Sequence, residues 1–83
     1  MENAVIEFVN KKTDERIELE VPLNIAANEL ISALNFKYKL GINREDYHNF
    51  YMCMENPIGF FRGERSLEQF GVRNGTVIIF NRK

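Results

Sequence analysis

The side chains with the most reactive chemistry in this sequence are its one histidine, His48, and its one cysteine, Cys53. As a general base, His48 would need a nucleophile or a carboxylate partner within reach. Glu45 and Asp46 are near in sequence, but no nucleophile accompanies them, so a solvated loop histidine is the better interpretation. A reactive cysteine needs a neighbouring cation, whereas Cys53 lies between two methionines. We therefore predict a half-buried cysteine on a strand.

The remaining polar residues indicate neither a metal centre nor a phosphate-binding loop. One cysteine, one histidine and dispersed carboxylates do not provide a ligand set with metal spacing. The glycines at positions 59, 63, 71 and 75 do not lie between a strand and the start of a long helix, as a phosphate loop would. We therefore expect no catalytic residues, no bound metal and no cofactor.

Length and composition limit the class of protein further. The 83 residues carry 11 Lys and Arg against 12 Asp and Glu, a formal net charge of −1, and 45% are hydrophobic. This length allows one domain, over residues 1–83, and few enzymes are so short. The charge balance argues against nucleic-acid binding, and the short apolar runs exclude membrane insertion. The acidic start, residues 1–3, is unlike a signal peptide, and a lone cysteine suits a reducing compartment. The expected location is the cytoplasm.

The first half of the chain predicts a hairpin followed by a helix. Residues 4–9 are rich in β-branched and aromatic types, and residues 16–21 alternate strictly between apolar and charged side chains. Apolar residues at positions 27, 30, 31, 34 and 38 then form one stripe of an amphipathic helix. We expect Asn24 to cap the start of this helix and Gly41 to end it in a left-handed conformation.

The second half predicts three short strands. Residues 49–54 alternate as a third strand, residues 58–61 form a fourth, and residues 76–80 form the last strand after an Asn74-Gly75 turn. A capping-box pattern at residues 66–69 predicts a single helical turn. The order gives an α+β fold of two layers, with one helix across one face of a mixed sheet of four to five strands. We expect the first and last strands, which are the most apolar, to be central and parallel. This arrangement is the β-grasp layout.

One helix covers only one face of a sheet, yet the last strand is apolar on both faces. We expect Val77 and Ile79 to point to the helix, and apolar residues of three neighbouring strands to form a contiguous patch on the open face. A patch of this kind is usually an interaction site. The predicted partner-binding residues are Tyr51, Ile78, Phe80, Val5 and Cys53.

Charged residues are also unevenly distributed. Cations at positions 62, 65, 73, 82 and 83 lie in the second half, whereas Glu18 and Glu20 line the solvent face of the second strand. This is either a bipolar surface that guides association or a mixed solvated exterior, and the second interpretation is slightly favoured.

Several segments resemble those of a known family. The hairpin, the helix ending at residues 40–42, and the segment 67–76 before the last strand resemble ubiquitin-like proteins. Within these, Arg62-Gly63-Glu64, followed by Ser66-Leu67 and the turn at 71–75, resemble the bacterial YukD-like proteins, accessory components of type VII secretion systems. The resemblance implies a ubiquitin-like β-grasp fold, no catalytic residues, and partner binding through the open sheet face.

The resemblance also frames the function that we expect. Conjugated ubiquitin-like proteins and sulfur carriers end in Gly-Gly, whereas this chain ends Phe80-Asn81-Arg82-Lys83, so a modifier or carrier role would need a longer precursor. The favoured function is a non-enzymatic, non-conjugated module that binds components of the secretion machinery, or a second copy of itself. The alternatives are a modifier or sulfur carrier, an enzyme, for which the sequence supplies no set of catalytic residues, and a generic β-grasp adaptor in another pathway.

Overall fold

Two antiparallel strands open the chain in the computed structural model, which describes residues 2–46 and 50–81. Strand β1 spans Asn3–Asn10 and strand β2 spans Glu15–Pro22, and Ile6 lies opposite Leu19 in their register. The turn between them closes at Asp14, whose φ of 60° is left-handed. The predicted hairpin is confirmed, and each strand is one residue longer at both ends than the pattern indicated.

Helix α1 spans Ala27–Tyr38 and buries the predicted apolar stripe except for Tyr38, which is half-buried. The residue that caps its start is Ala26, not Asn24. The Ala26 N–H donates to Oε1 of Glu29, in the first turn of the helix, at 3.0 Å. The helix ends at Lys39, which has a φ of 53°, two residues before Gly41. Both helix ends were therefore predicted about two residues too far out, whereas the predicted left-handed conformation of Gly41 is confirmed by its φ of 80°.

Strands β3 (Met52–Glu55), β4 (Gly59–Phe61) and β5 (Val77–Phe80) complete a five-stranded sheet of order β2-β1-β5-β3-β4. The prediction that the first and last strands are parallel and internal is confirmed, since β5 pairs in parallel with β1 and antiparallel with β3. The third strand begins later than predicted, at Met52. His48 and the predicted strand start at Asn49 lie outside the described residues.

The two faces of β5 are the reverse of the prediction. Ile78 lies opposite both Phe8 and Met54, and these three side chains are buried in the core beneath α1. Because cross-strand partners share a face of the sheet, Ile78 and Phe80 point to the helix, whereas Val77 and Ile79 point away from it. Ile78 and Phe80 are 0% and 1% exposed, so the prediction that they lie on the open face was wrong.

The segment between β4 and β5 folds as the capping-box pattern predicts. Ser66 Oγ accepts from the Gln69 N–H at 3.2 Å, and Gln69 Oε1 accepts from the Ser66 N–H at 2.9 Å. Leu67 is buried in the core, and its N–H donates to the Ile25 carbonyl, which ties this turn to the start of α1.

A buried hydroxyl fixes the entry to β5. Thr76 is 0% exposed, and its Oγ1 donates to the Asn56 carbonyl at 2.7 Å while accepting from the Arg73 N–H at 2.9 Å. The hydroxyl thus joins the turn before β4 to the turn before β5.

We expect Thr76→Val to lower the free energy of unfolding by about 1–3 kcal/mol, because it leaves a backbone N–H and a carbonyl without their partner while keeping the side-chain shape. The measurement is urea denaturation followed by circular dichroism. Thr13→Val, at an exposed turn position, is the matched control and should change stability by less than about 0.5 kcal/mol. Equal effects of the two variants would contradict this role of Thr76.

Candidate protein-interaction surface

The face of the sheet opposite α1 carries a row of side chains that crosses all five strands. The pairing register aligns one residue from each strand in this row: Arg16, Val9, Ile79, Cys53 and Phe60. Four of the five side chains are apolar or weakly polar. We name Tyr51, Cys53, Phe60 and Ile79, which occupy the β5-β3-β4 half of this face, the open-face patch.

Two aromatic rings form the most exposed part of the open-face patch. Tyr51 is 49% exposed and Phe60 is 65% exposed. Their ring centroids lie 5.0 Å apart in an edge-to-face arrangement, a favoured geometry for aromatic pairs. Each ring therefore supports the other, although both remain largely in contact with solvent.

Shallow cavities flank Phe60 on both sides. One, of about 350 Å³, is lined by Tyr51, Phe60 and Arg62. The other, of about 280 Å³, has Cys53, Ile79 and Glu55 among its lining residues. Ile58, which is almost fully exposed, borders this second cavity. Each cavity is large enough to receive one side chain of a partner.

A row rich in carboxylates borders the patch two residues further along the strands. Glu7 lies opposite Glu18 on one side and Val77 on the other, and Val77 lies opposite Glu55. We name Glu7, Glu18 and Glu55 the acidic row. Arg16 Nη1 donates to Glu7 Oε1 at 2.9 Å. Neither Glu18 nor Glu55 forms a side-chain hydrogen bond or ion pair with the described residues.

The structure brings together only some of the residues predicted for partner binding. Tyr51 and Cys53 lie in the open-face patch, and Cys53 is half-buried. Val5 is exposed on the same face but lies beyond the acidic row, so it is not contiguous with the patch. Ile78 and Phe80 are in the core, as described above. Whether the exposed residues bind a partner stays a prediction.

Sequence reasoning missed two members of the patch, Phe60 and Ile79. Phe60 lies on the strand predicted at 58–61, but no side was assigned to it. Its side follows once Phe61 is paired with Met52, since both are buried. Ile79 was assigned to the wrong face because four consecutive apolar residues, 77–80, carry no alternation that would distinguish the faces.

Two other features, a cluster of metal ligands and a membrane-spanning helix, are not found in the part of the chain that the structure describes. Across residues 2–46 and 50–81, no three histidine, cysteine, aspartate or glutamate side chains are grouped as metal ligands would be. Over the same residues, no helix has the length and apolar character needed to cross a membrane.

Comparison with known proteins gives the fold. No protein-family model and no curated protein matches the sequence. Among solved structures, the ubiquitin-like domain of tubulin-binding cofactor B aligns with a TM-score of 0.74 and 23% identity, over 94% of this chain and 87% of that domain. This chain has the ubiquitin-like β-grasp fold.

Further ubiquitin-like structures agree. The C-terminal ubiquitin-like domain of mouse tubulin-specific chaperone e aligns with a TM-score of 0.67 and 9% identity, over 99% of this chain and 90% of that one. The UBL domain of Plasmodium falciparum Dsk2 aligns with a TM-score of 0.61 and 12% identity, over 94% and 97% of the two chains. At these identities the likeness establishes the ubiquitin-like fold and leaves the function to be argued from the surface.

Two adjacent isoleucines on β5 provide a direct test of which face is open. We expect Ile78→Ala to lower the free energy of unfolding by about 2–5 kcal/mol, because it leaves a cavity in the core. Ile79→Ala removes the same atoms from a half-buried position and should cost about 1 kcal/mol. Urea denaturation of the two variants measures both values. A larger loss for Ile79→Ala would contradict the assignment of the faces.

Proposed function

We propose that this chain is a protein-interaction module that binds a partner through the open-face patch. The observation that carries the proposal is the exposed Tyr51–Phe60 pair, which lies between two shallow cavities on the uncovered face of the sheet. Contiguous exposed apolar surface on a small domain is typical of an interaction site.

The energetics of the patch suit this function. Burying a side chain as large as Phe60 contributes about 1.5–3 kcal/mol relative to leaving it in water. Aromatic residues near the centre of an interface often supply most of the binding free energy. Tyr51 adds a hydroxyl that can exchange a hydrogen bond with a partner while its ring is covered. Two such residues suffice to anchor a short segment of a partner protein.

We further propose the finer role of a non-enzymatic accessory or regulatory component of type VII secretion, acting in the cytoplasm. The support for this is the resemblance of residues 62–76 to the YukD-like proteins. Its test is the identity of the partner, obtained by affinity capture followed by mass spectrometry. The captured protein should be encoded beside a secretion ATPase and small helical substrates. A partner from an unrelated pathway would favour the generic adaptor instead.

The chain offers a matched pair of variants for testing the patch. Phe60 and Phe36 are both exposed aromatics, but Phe60 lies on the open face and Phe36 on α1. We expect Phe60→Ser to weaken binding of the captured partner by at least tenfold, equivalent to about 1.4 kcal/mol, since it removes the central anchor. Phe36→Ser should leave the affinity unchanged. Titration calorimetry with the purified partner measures both.

Cys53 supplies an independent readout, because it is the only cysteine of the chain and lies in the patch. Bound partner should slow its alkylation by iodoacetamide in proportion to occupancy, and at a partner concentration near the Kd of the unmodified chain Phe60→Ser should remove most of that protection. Protection that is equal for both variants, or lost only with Phe36→Ser, would place the interaction elsewhere on the surface.

A further inference from the structure

We infer that the partner of the open-face patch is a basic amphipathic segment of another protein, with lysine or arginine side chains set over the acidic row. This rests on the proposed function and goes beyond it by specifying the chemistry of the partner. Three features of the surface support this inference: the charges at the border of the patch, the spacing of its residues, and its size.

The charges at the border favour a cationic ligand. Glu55 lies beside the patch and Glu18 lies at the far end of the acidic row, on β2. Both are exposed and form no ion pair or side-chain hydrogen bond with the described residues, so both carboxylates are available. Glu55 also lines the cavity beside Phe60, which places one carboxylate at the edge of the apolar surface. A lysine or arginine can cover apolar surface with its methylene groups while its charged end reaches such a carboxylate.

The two borders of the patch differ in sign. The acidic row lies about 7 Å from the row of Cys53 and Phe60, the distance covered by two residues along a strand. On the opposite side, Arg62 lines the cavity beside Tyr51. A segment with cations along one edge is therefore attracted in one orientation and repelled in the reverse orientation, which gives the surface directional specificity.

The spacing of the patch suits a helix laid across the strands. Neighbouring strands are about 4.8 Å apart, so Ile79, Cys53 and Phe60 present one contact every 4.8 Å or so. A helix advances about 4.5–6 Å between residues i and i+3 or i+4, which places one apolar side chain over each of these strands. Cations on its flank then lie over the acidic row.

The size of the surface favours such a segment over a second copy of the chain. The patch with its two borders measures about 19 Å by 13 Å in projection, from the spacing of strands and of residues along them. That is a projected area of roughly 250 Å², which is small beside the solvent-accessible surface of about 800 Å² that each partner of a stable protein pair buries. A segment of three or four helical turns covers this area with its apolar face.

The test is a selection from a phage-displayed library of random 16-residue peptides on the full chain, followed by affinity measurements. Peptides whose binding requires Phe60 should carry an excess of lysine and arginine beside their apolar residues. The double variant Glu18→Lys, Glu55→Lys should weaken them roughly tenfold, as expected when two exposed attractions become repulsions. The control Glu45→Lys, Glu68→Lys makes the same change of net charge outside the sheet and should alter affinity less than about twofold.

Each other outcome overturns a defined part of the argument. Peptides that require Phe60 but show no basic excess, or that bind both double variants equally, overturn the basic partner and leave the proposed function standing. Failure to select any peptide that requires Phe60 overturns the proposed function as well. A dimer that forms at micromolar concentration in sedimentation velocity, and is abolished by Phe60→Ser, assigns the patch to a second copy and overturns the inference.

Discussion

The insertion of β5 between β1 and β3 is the constraint on which the rest of the molecule depends. The strand is four residues long, yet it pairs on both edges and places Ile78 between Phe8 and Met54 at the centre of the core. The first strand, the last strand and a strand from the middle of the chain are joined there. The buried Thr76 hydroxyl holds the residue just before this strand by bonds to two separate turns, so the register of β5 is fixed before its first residue.

Fixing that register also determines what the open face presents. With Ile78 and Phe80 directed to α1, Val77 and Ile79 must point outward, and the strands on either side add their own outward residues to the same rows. On the β1-β2 side these are mostly charged, whereas on the β3-β4 side they include Cys53 and Phe60. The division of the face into charged and apolar halves is therefore a consequence of strand order.

The amino-acid sequence predicts those parts of the fold in which one pattern excludes the others. The strict alternation in β2 and the helical stripe from Ala27 to Tyr38 each allow one structure, and both are observed. The four apolar residues of β5 fit either face, and only the pairing with β1 and β3 distinguishes the two. The helix ends were misplaced for a related reason: Asn24 and Gly41 are good cap residues, but Glu29 and Lys39 provide the caps that form. Tyr51 and Cys53 were predictable members of the patch because β3 alternates, whereas Phe60 required the β3-β4 register.

The two edge strands, β2 and β4, differ in the kind of residue that they place on the open face. On β2 every outward residue from Arg16 to Glu20 is charged, so the sequence readily places polar residues where a strand faces water. On β5, apolar outward residues are explained by β-propensity and by the neighbouring strands, which half-bury them. Burial by neighbouring strands does not explain Phe60, which lies on an edge strand of three residues and is 65% exposed. A charged side chain there would cost the fold little and would protect the edge from pairing with other chains. An aromatic ring at that position, edge-to-face with Tyr51, adds little to folding stability but offers a partner an exposed apolar contact. We therefore place the centre of the proposed interaction at Phe60.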